Sequence, residues 1–381
     1  MGRSTYAILV LLPALAWQYT TVKVNYGGNW TALFCTGDAI RVPDALESEN
    51  IFVFPDSYGF DAQFYHYIAH DPVPPSDLMK QVELPGLRYR RILMPMLAYA
   101  LSLGNQRAID LCYLVAGLLF VFLGTWWMGS YASQLGLPPA WSLAFPLSPA
   151  VIVFVDRLTV DHALAALTVA FALFAVRRPS WQLYVTLMLA PLARETGLLL
   201  TAGYCLHCLI WRHWKRAAIF ATSGLPWLGW VAYVAHATGP AVYETSYVPL
   251  RSVVHWLLHP VQYRERVPLP GLVQAADILS LAGILLAISL AGMLFWRRKS
   301  DPVAIAAVLF AAVAVFVQRT DVWETVFNYG RIFTPLLLLV AVGWMPQRPK
   351  LAVLPIALMA PRLLMQYGNQ VLGVAKAVVG G

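Results

Sequence analysis

The sequence predicts an all-α, polytopic transmembrane helical bundle, and three observations carry that expectation. Hydrophobic residues make up 59% of the chain and charged residues only 12%, against roughly 25% charge in a soluble domain. Apolar runs recur along the whole length, and basic residues gather in short clusters between them. With 381 residues and so few charges, the chain cannot clothe a water-facing surface. A single soluble globule, a disordered chain and a fibrous protein are thereby excluded.

The runs lie at about 6–21, 111–131, 140–155, 161–176, 181–193, 197–211, 217–237, 272–296, 302–317, 331–345 and 351–366. They predict about eleven spans, several shorter than the ~20 residues of an ideal one. The first run, from Tyr6 to Trp17, resembles a signal peptide, but no small-residue cleavage site follows before Tyr26, so it is expected to stay as a span. The run 92–103 contains Pro95, ends at Gly104-Asn105 and follows Arg88-Tyr89-Arg90-Arg91. Suppose that it does not cross and that the N-terminus is cytoplasmic. Then Arg177-Arg178, Arg212/Lys215/Arg216, Arg297-Arg298-Lys299 and Arg348/Lys350 all fall on the cytoplasmic side. The charge pattern therefore predicts an amphipathic or re-entrant helix at 92–103 in the outer interface. The whole chain, 1–381, reads as one integral membrane domain with extracytoplasmic loops at 22–110 and 238–271.

Acidic residues and arginines collect on the opposite face, where ionisable groups are costly and usually functional. Asp61 opens a short predicted helix that ends at Pro72. It serves there either as a helix cap or as a general base or ligand beside Phe64 and Tyr65. His66 and His70 have the i, i+4 spacing of a metal pair but point away from Asp61, and a solvated or interfacial face is expected for them. Arg88, Arg90 and Arg91 adjoin the interfacial helix, where guanidiniums hold phosphate or snorkel to headgroups. Arg157 and Asp161, four residues apart, are spaced to pair, and Arg194 and Glu195 have either of them as partner. Arg331 is an anchor or a phosphate ligand. The four cysteines are too few and scattered for a disulfide framework, and Cys205 and Cys208 read as small residues one turn apart. No Walker loop, GxSxG elbow, HExxH or Rossmann fingerprint occurs, and no basic block suggests nucleic acid.

These residues resemble the C-type membrane glycosyltransferases. Gly59-Phe60-Asp61-Ala62-Gln63-Phe64-Tyr65, with Ile68-Ala69, is similar to the W-D-G-x-x-Y-x-x-I-A pattern of the glycosylphosphatidylinositol mannosyltransferase branch, with Phe60 for Trp and Ala62 for Gly. Tyr89-Arg90-Arg91-Ile92-Leu93-Met94-Pro95 resembles the Y-R-R/Q-x-L-x-P segment of bacterial members. Ser148-Pro149 followed by Thr159-Val160-Asp161 resembles a corner of the protein mannosyltransferases. Arg194-Glu195-Thr196-Gly197 and Arg331 with Pro335 are similar to the R-E-T-G and R-x-x-x-P of bacterial relatives. The resemblance implies transfer of a sugar from a polyprenyl-phosphate donor to a cell-surface glycan or lipid acceptor at a bacterial inner membrane. Asp61 would be catalytic, and Tyr65, Arg88, Arg90, Arg91, Asp161, Arg194, Glu195 and Arg331 would bind substrate. Membrane lipids are expected as partners and nucleic acid is not. No cofactor is assigned: a divalent metal stays open as an alternative, with no D-x-D pair to support it. The alternatives are a flippase for lipid-linked sugars, or a non-catalytic subunit of an envelope polysaccharide machine.

Overall fold

The computed structural model describes residues 2–176, 180–239, 248–261, 263, 269–317 and 319–379. Arg177-Arg178 and parts of the 238–271 loop lie outside them. The described chain is all-α apart from one two-stranded parallel sheet, β1 (Thr36–Gly37) with β2 (Val53–Phe54). Helix α1 (Arg3–Asn25) precedes the long first loop, which carries α2 (Asp61–His70), α3 (Pro85–Arg88) and α4 (Leu93–Leu101). Then follow α5 (Ile109–Gln134), α6 (Pro149–Asp156), α7 (Asp161–Ala175), α8 (Trp181–Ala193), α9 (Leu198–Ile210), α10 (Trp214–Ala221) and α11 (Leu225–Thr238). The C-terminal third holds α12 (Arg251–Leu258), α13 (Pro270–Arg297), α14 (Pro302–Phe316), α15 (Thr320–Glu324), α16 (Val326–Ile332), α17 (Thr334–Trp344), α18 (Pro349–Leu364) and α19 (Gly368–Val379).

Two helices form the centre. Every residue of α17 is buried, and every residue of α7 except Phe174. A helix that is apolar all round belongs inside a bundle, because no face of it suits water. Tyr131 of α5 donates to the Val342 carbonyl (3.2 Å), and Trp344 donates to the Leu290 carbonyl of α13 (3.0 Å), so neighbouring helices are fastened to α17. The peripheral helices do the reverse. On α1, Ile8, Leu9, Leu12 and Leu15 are exposed, as are Leu111, Val115 and Leu119 on α5. Apolar belts of this kind fit a lipid surround better than water.

Five described segments are long and apolar enough to cross a bilayer, and six if the bent pair α16–α17 is one span. This is fewer than the eleven expected from the apolar runs. Four further apolar helices, α7, α8, α14 and the segment Glu195–Ile210, have only 10–17 residues, below the ~20 needed to span alone. The run 140–155 is not one helix: a 3-10 turn at Pro139–Ala144 gives way to α6, which restarts at Pro149. Proline lacks the N–H that would have continued the helix. In the region of the expected interfacial helix, α4 ends after nine residues, too short to cross. Within the C-terminal third, α13 and α18 are joined by a buried ion pair, Arg362 Nε to Asp277 Oδ1 at 2.7 Å.

The start of α2 is fixed by close backbone packing. A Cβ on Gly37 would sit 2.2 Å from Gly59 N and from the Ser57 carbonyl oxygen, so only glycine lets β1 lie against this loop. Gly59 itself takes φ +74°, which L side chains rarely adopt. Gln63 then locks the arrangement: its Oε1 accepts from Gly37 N (3.2 Å) and its Nε2 donates to the Tyr58 carbonyl (2.9 Å). We expect Gly37→Ala to lose about 1–3 kcal/mol of stability through this overpacking. Thermal melts of detergent-purified protein would check it, with limited proteolysis of the 22–110 loop as the local readout.

Candidate functional site: a chain of arginines and carboxylates

Five corners of the fold bring charged side chains to one end of the bundle. Asp61 stands at the first turn of α2. The residue before it, Phe60, takes the N-cap position without a side-chain cap, and the Asp61 carboxylate goes instead to two guanidiniums. Arg88 closes α3 and reaches Asp61 Oδ1 at 2.8 Å and Glu83 Oε2 at 3.2 Å. Arg331 bonds the other Asp61 oxygen and also reaches Asp161 Oδ2 at 3.3 Å, so it bridges two carboxylates. Asp161 begins α7 and takes a second ion pair from Arg194, at the corner after α8. Arg91 makes a two-pronged pair with Glu195, at 3.0 and 2.7 Å, and donates to the Tyr65 hydroxyl at 3.2 Å.

Local sequence explains each placement. Pro335 bends the chain by 54° between α16 and α17 and holds Arg331 in the last turn before the break. Thr334 covers the interruption: its hydroxyl donates to the Gly330 carbonyl (2.8 Å) and accepts from Ala150 N (3.0 Å). At the next corner, Arg194 is extended and a short 3-10 turn, Glu195–Gly197, leads into α9. A Cβ on Gly197 would lie 2.3 Å from the Ala190 carbonyl group, so the turn folds back on α8 only with glycine there. Aromatic rings back the cations. Arg88 lies over Phe64 at 4.7 Å and Arg331 over Phe60 at 4.9 Å, which places positive charge against the negative ring face.

These groups surround an open cavity of about 190 Å³, lined by Asp61, Glu83, Arg88, Arg91, Arg194, Arg319, Asp321, Asn328 and Arg331, with apolar Leu84, Leu87, Val322 and Ile332. Five lining residues are arginines and three are acidic, while Asp161 and Glu195, which pair with Arg194 and Arg91, are not in the lining. The wall therefore favours an anion. Each cation already has a carboxylate partner, which keeps buried guanidiniums tolerable in the absence of a ligand. Arg90 is half-buried and is not among the residues that line this cavity.

Several pairings differ from the sequence expectation. Arg157 does not reach Asp161: it pairs with its neighbour Asp156 at 3.0 Å and lies over Phe60. The i, i+4 rule holds only inside a helix, and here Arg157 lies just past the end of α6 while α7 begins at Asp161. His66 and His70 are not on a solvated face but are buried, His66 completely, between α2, Phe34 and α5. Glu83, Asn328 and the Arg319–Asp321 pair complete the cavity. Glu83 has no signal in the sequence, because one Glu between Val82 and Leu84 in an outer loop carries no pattern; only its contact with Arg88 reveals it. The chain matches no family model, no curated protein and no solved structure.

Burial alone would push the Asp61 carboxyl up, but Arg331 and Arg88 outweigh it and hold the group well below the usual carboxylate range. A depressed folded-state value contributes stability above the unfolded pKa, and that stability is lost as pH falls toward the folded one. Asp61→Asn also leaves two buried guanidiniums short of a partner, so the variant is expected to melt below the wild type. The difference should be level from about pH 5 to 9 and shrink below about pH 4, where unfolded carboxyls take up protons. Paired melting curves across that range would check it.

Proposed function

We propose that the protein is a membrane glycosyltransferase that moves a sugar from a polyprenyl-phosphate donor to a glycan or lipid acceptor. The observation that carries this reading is the shared cavity: a carboxylate, Asp61, stands between two guanidiniums on a wall where arginines outnumber acids. Guanidinium forks suit phosphate oxygens. At about 190 Å³ the space is below the roughly 300–1,000 Å³ of pockets that enclose a whole small molecule. It suits a head group whose tail stays in lipid.

In the reaction, the acceptor hydroxyl gives its proton to Asp61 and its oxygen attacks the anomeric carbon. The bond from that carbon to the phosphate oxygen breaks, and the phosphate leaves with the electron pair. Arg88, Arg91 and Arg331 meet the charge that develops there. With both arginines on it, Asp61 is a poor base, because its pKa is held too low to accept a proton. A donor phosphate that draws Arg88 and Arg331 toward itself returns basicity to Asp61. Donor binding thus prepares the base. Tyr65, Asp161, Arg194 and Glu195 hold the arginines in position, and Arg90 would contact lipid headgroups or the donor from beside the cavity. The finer topology belongs to the same proposal: about eleven crossings with short helices continued by loops, a cytoplasmic N-terminus, and the site facing away from the cytoplasm of a bacterial inner membrane.

A second reading has one observation in its favour. The break at α16–α17 puts Arg331 at a discontinuous helix, the arrangement that transporters use at binding sites. A flippase of lipid-linked sugars would use the same phosphate clamp without a base.

Purified protein in nanodiscs separates the readings. Turnover is expected with a polyprenyl-phosphate sugar and not with a nucleotide sugar, and Asp61→Asn should lower it by about 10²–10⁴ in the folded fraction. Turnover with the nucleotide sugar alone would overturn the mechanism. Lipid-linked sugar crossing the bilayer with no transfer, and no effect of Asp61→Asn, would favour the flippase. For topology, a cysteine at Ser180 should react only with probes admitted to the cytoplasmic side.

A further inference from the structure

On the side of α2 away from Asp61, His66, His70 and Asp110 converge. Their ligand atoms form a close triangle: His66 Nε2 to Asp110 Oδ1 is 2.7 Å, His70 Nε2 to Asp110 Oδ1 is 3.5 Å, and the two Nε2 atoms are 3.3 Å apart. Both imidazoles are buried, while the Asp110 side chain is 24% exposed. Asp110 opens onto a largely apolar groove of about 390 Å³, bounded by Leu15, Trp30, Leu114 and Leu158 and shared with Arg107.

The tautomer of His70 follows from its neighbours. Gln106 Nε2 donates to the His70 carbonyl (3.2 Å), which turns Gln106 Oε1 toward His70 Nδ1 at 2.7 Å. An amide oxygen only accepts, so Nδ1 of neutral His70 carries the proton and Nε2 is a bare lone pair. That lone pair faces His66 Nε2 across 3.3 Å. His66 Nε2 therefore either keeps a proton for Asp110 or presents a second lone pair. His66 Nδ1 is buried and has no hydrogen-bond partner, so nothing on that side of the ring fixes the tautomer. The ring is held instead by stacking on Phe34, with centroids 4.0 Å apart and planes 8° from parallel. A carbonyl-type acceptor on the distal nitrogen of His70 is the support that metal-binding histidines commonly have.

We propose that His66, His70 and Asp110 bind a borderline divalent cation of the zinc class. Tetrahedral coordination with Zn–N bonds of about 2.0–2.1 Å sets ligand atoms about 3.3–3.4 Å apart, which matches the Nε2–Nε2 separation and the 3.5 Å from His70 to Asp110, while the Asp110 oxygen draws back from its 2.7 Å contact with His66. Two neutral imidazoles and one carboxylate give a net single negative charge. This nitrogen-rich set suits zinc and its neighbours rather than calcium or magnesium, which take oxygen ligands. Binding at His66 Nε2 places the ring's single proton on Nδ1 and breaks one hydrogen bond, to Asp110, whose oxygen becomes a ligand. The groove leaves a fourth position open to water or an anionic group. The cation would fasten α2, which carries Asp61 on its other face, to the start of α5. The proposal stands on these residues alone and does not depend on glycosyl transfer.

The test uses the full chain, purified without a histidine tag, stripped with chelator and desalted. Zinc uptake is measured by elemental analysis and by competition with a chromophoric zinc chelator, and cobalt uptake by its visible d–d bands. One equivalent of zinc is expected per chain, with cobalt bands of tetrahedral intensity. Asp110→Asn keeps the side-chain shape and should weaken zinc binding at least about tenfold, since even indirect disturbance of a ligand costs 10–100-fold. His70→Gln should do the same, and thermal melts report whether either variant is folded. Wild-type protein that takes up neither metal would overturn the proposal and leave a hydrogen-bonded His–His–Asp group only. Equal uptake by wild type and both folded variants would overturn it as well, because the metal would then sit elsewhere.

Discussion

The bridge made by Arg331 is the contact on which the site depends. One guanidinium joins Asp61, from the long first loop, to Asp161, from one of the two central buried helices. Without it the loop would hold its carboxylate near the core with Arg88 alone. The bridge works because Pro335 breaks the helix just beyond it, so that Arg331 projects from a helix end rather than from the side of a continuous rod. Burial makes this contact strict: a desolvated charge tolerates few geometries, and the loss of one partner leaves the other costly.

From that bridge the remaining charges fall into a sequence of alternating sign. Glu83, Arg88, Asp61, Arg331, Asp161 and Arg194 follow one another through direct contacts, and Arg91 with Glu195 stands beside them. Alternation keeps the resting site neutral enough to exist in an apolar bundle. It also means that an incoming anion competes with internal carboxylates for each guanidinium. Affinity for such an anion is the difference between two large terms, and small changes in geometry at any corner shift it.

Much of this was legible in the sequence because charge is scarce there. In an apolar chain, each ionisable residue at a span end stands out, so Asp61, Arg88, Arg91, Asp161, Arg194, Glu195 and Arg331 could be picked out one by one. Their partners could not. Arg157 and Asp161 have helical spacing but sit on opposite sides of a helix boundary, and spacing means nothing across such a break. His66 and His70 read from sequence as a solvated or interfacial face because the ring of Phe34 and the carboxylate of Asp110, which cover them, are distant in sequence. The number of crossing helices was likewise blurred, since hydropathy registers the apolar run at 140–155 but not the restart of the helix at Pro149.

The buried pair of Asp277 and Arg362 carries a consequence for how the chain is made. The first lies in α13 and the second in α18, and 84 residues separate them. A ribosome delivers α13 first, with a carboxylate whose only cation in the same helix, Arg297, stands at the far end. A buried carboxylate without its cation is costly, so the packing of α13 is complete only once α18 brings Arg362 to it. The C-terminal third must therefore settle late and as a unit. Truncation ahead of Arg362 would strand an early helix, and quality-control proteases would meet the defect well upstream of the cut.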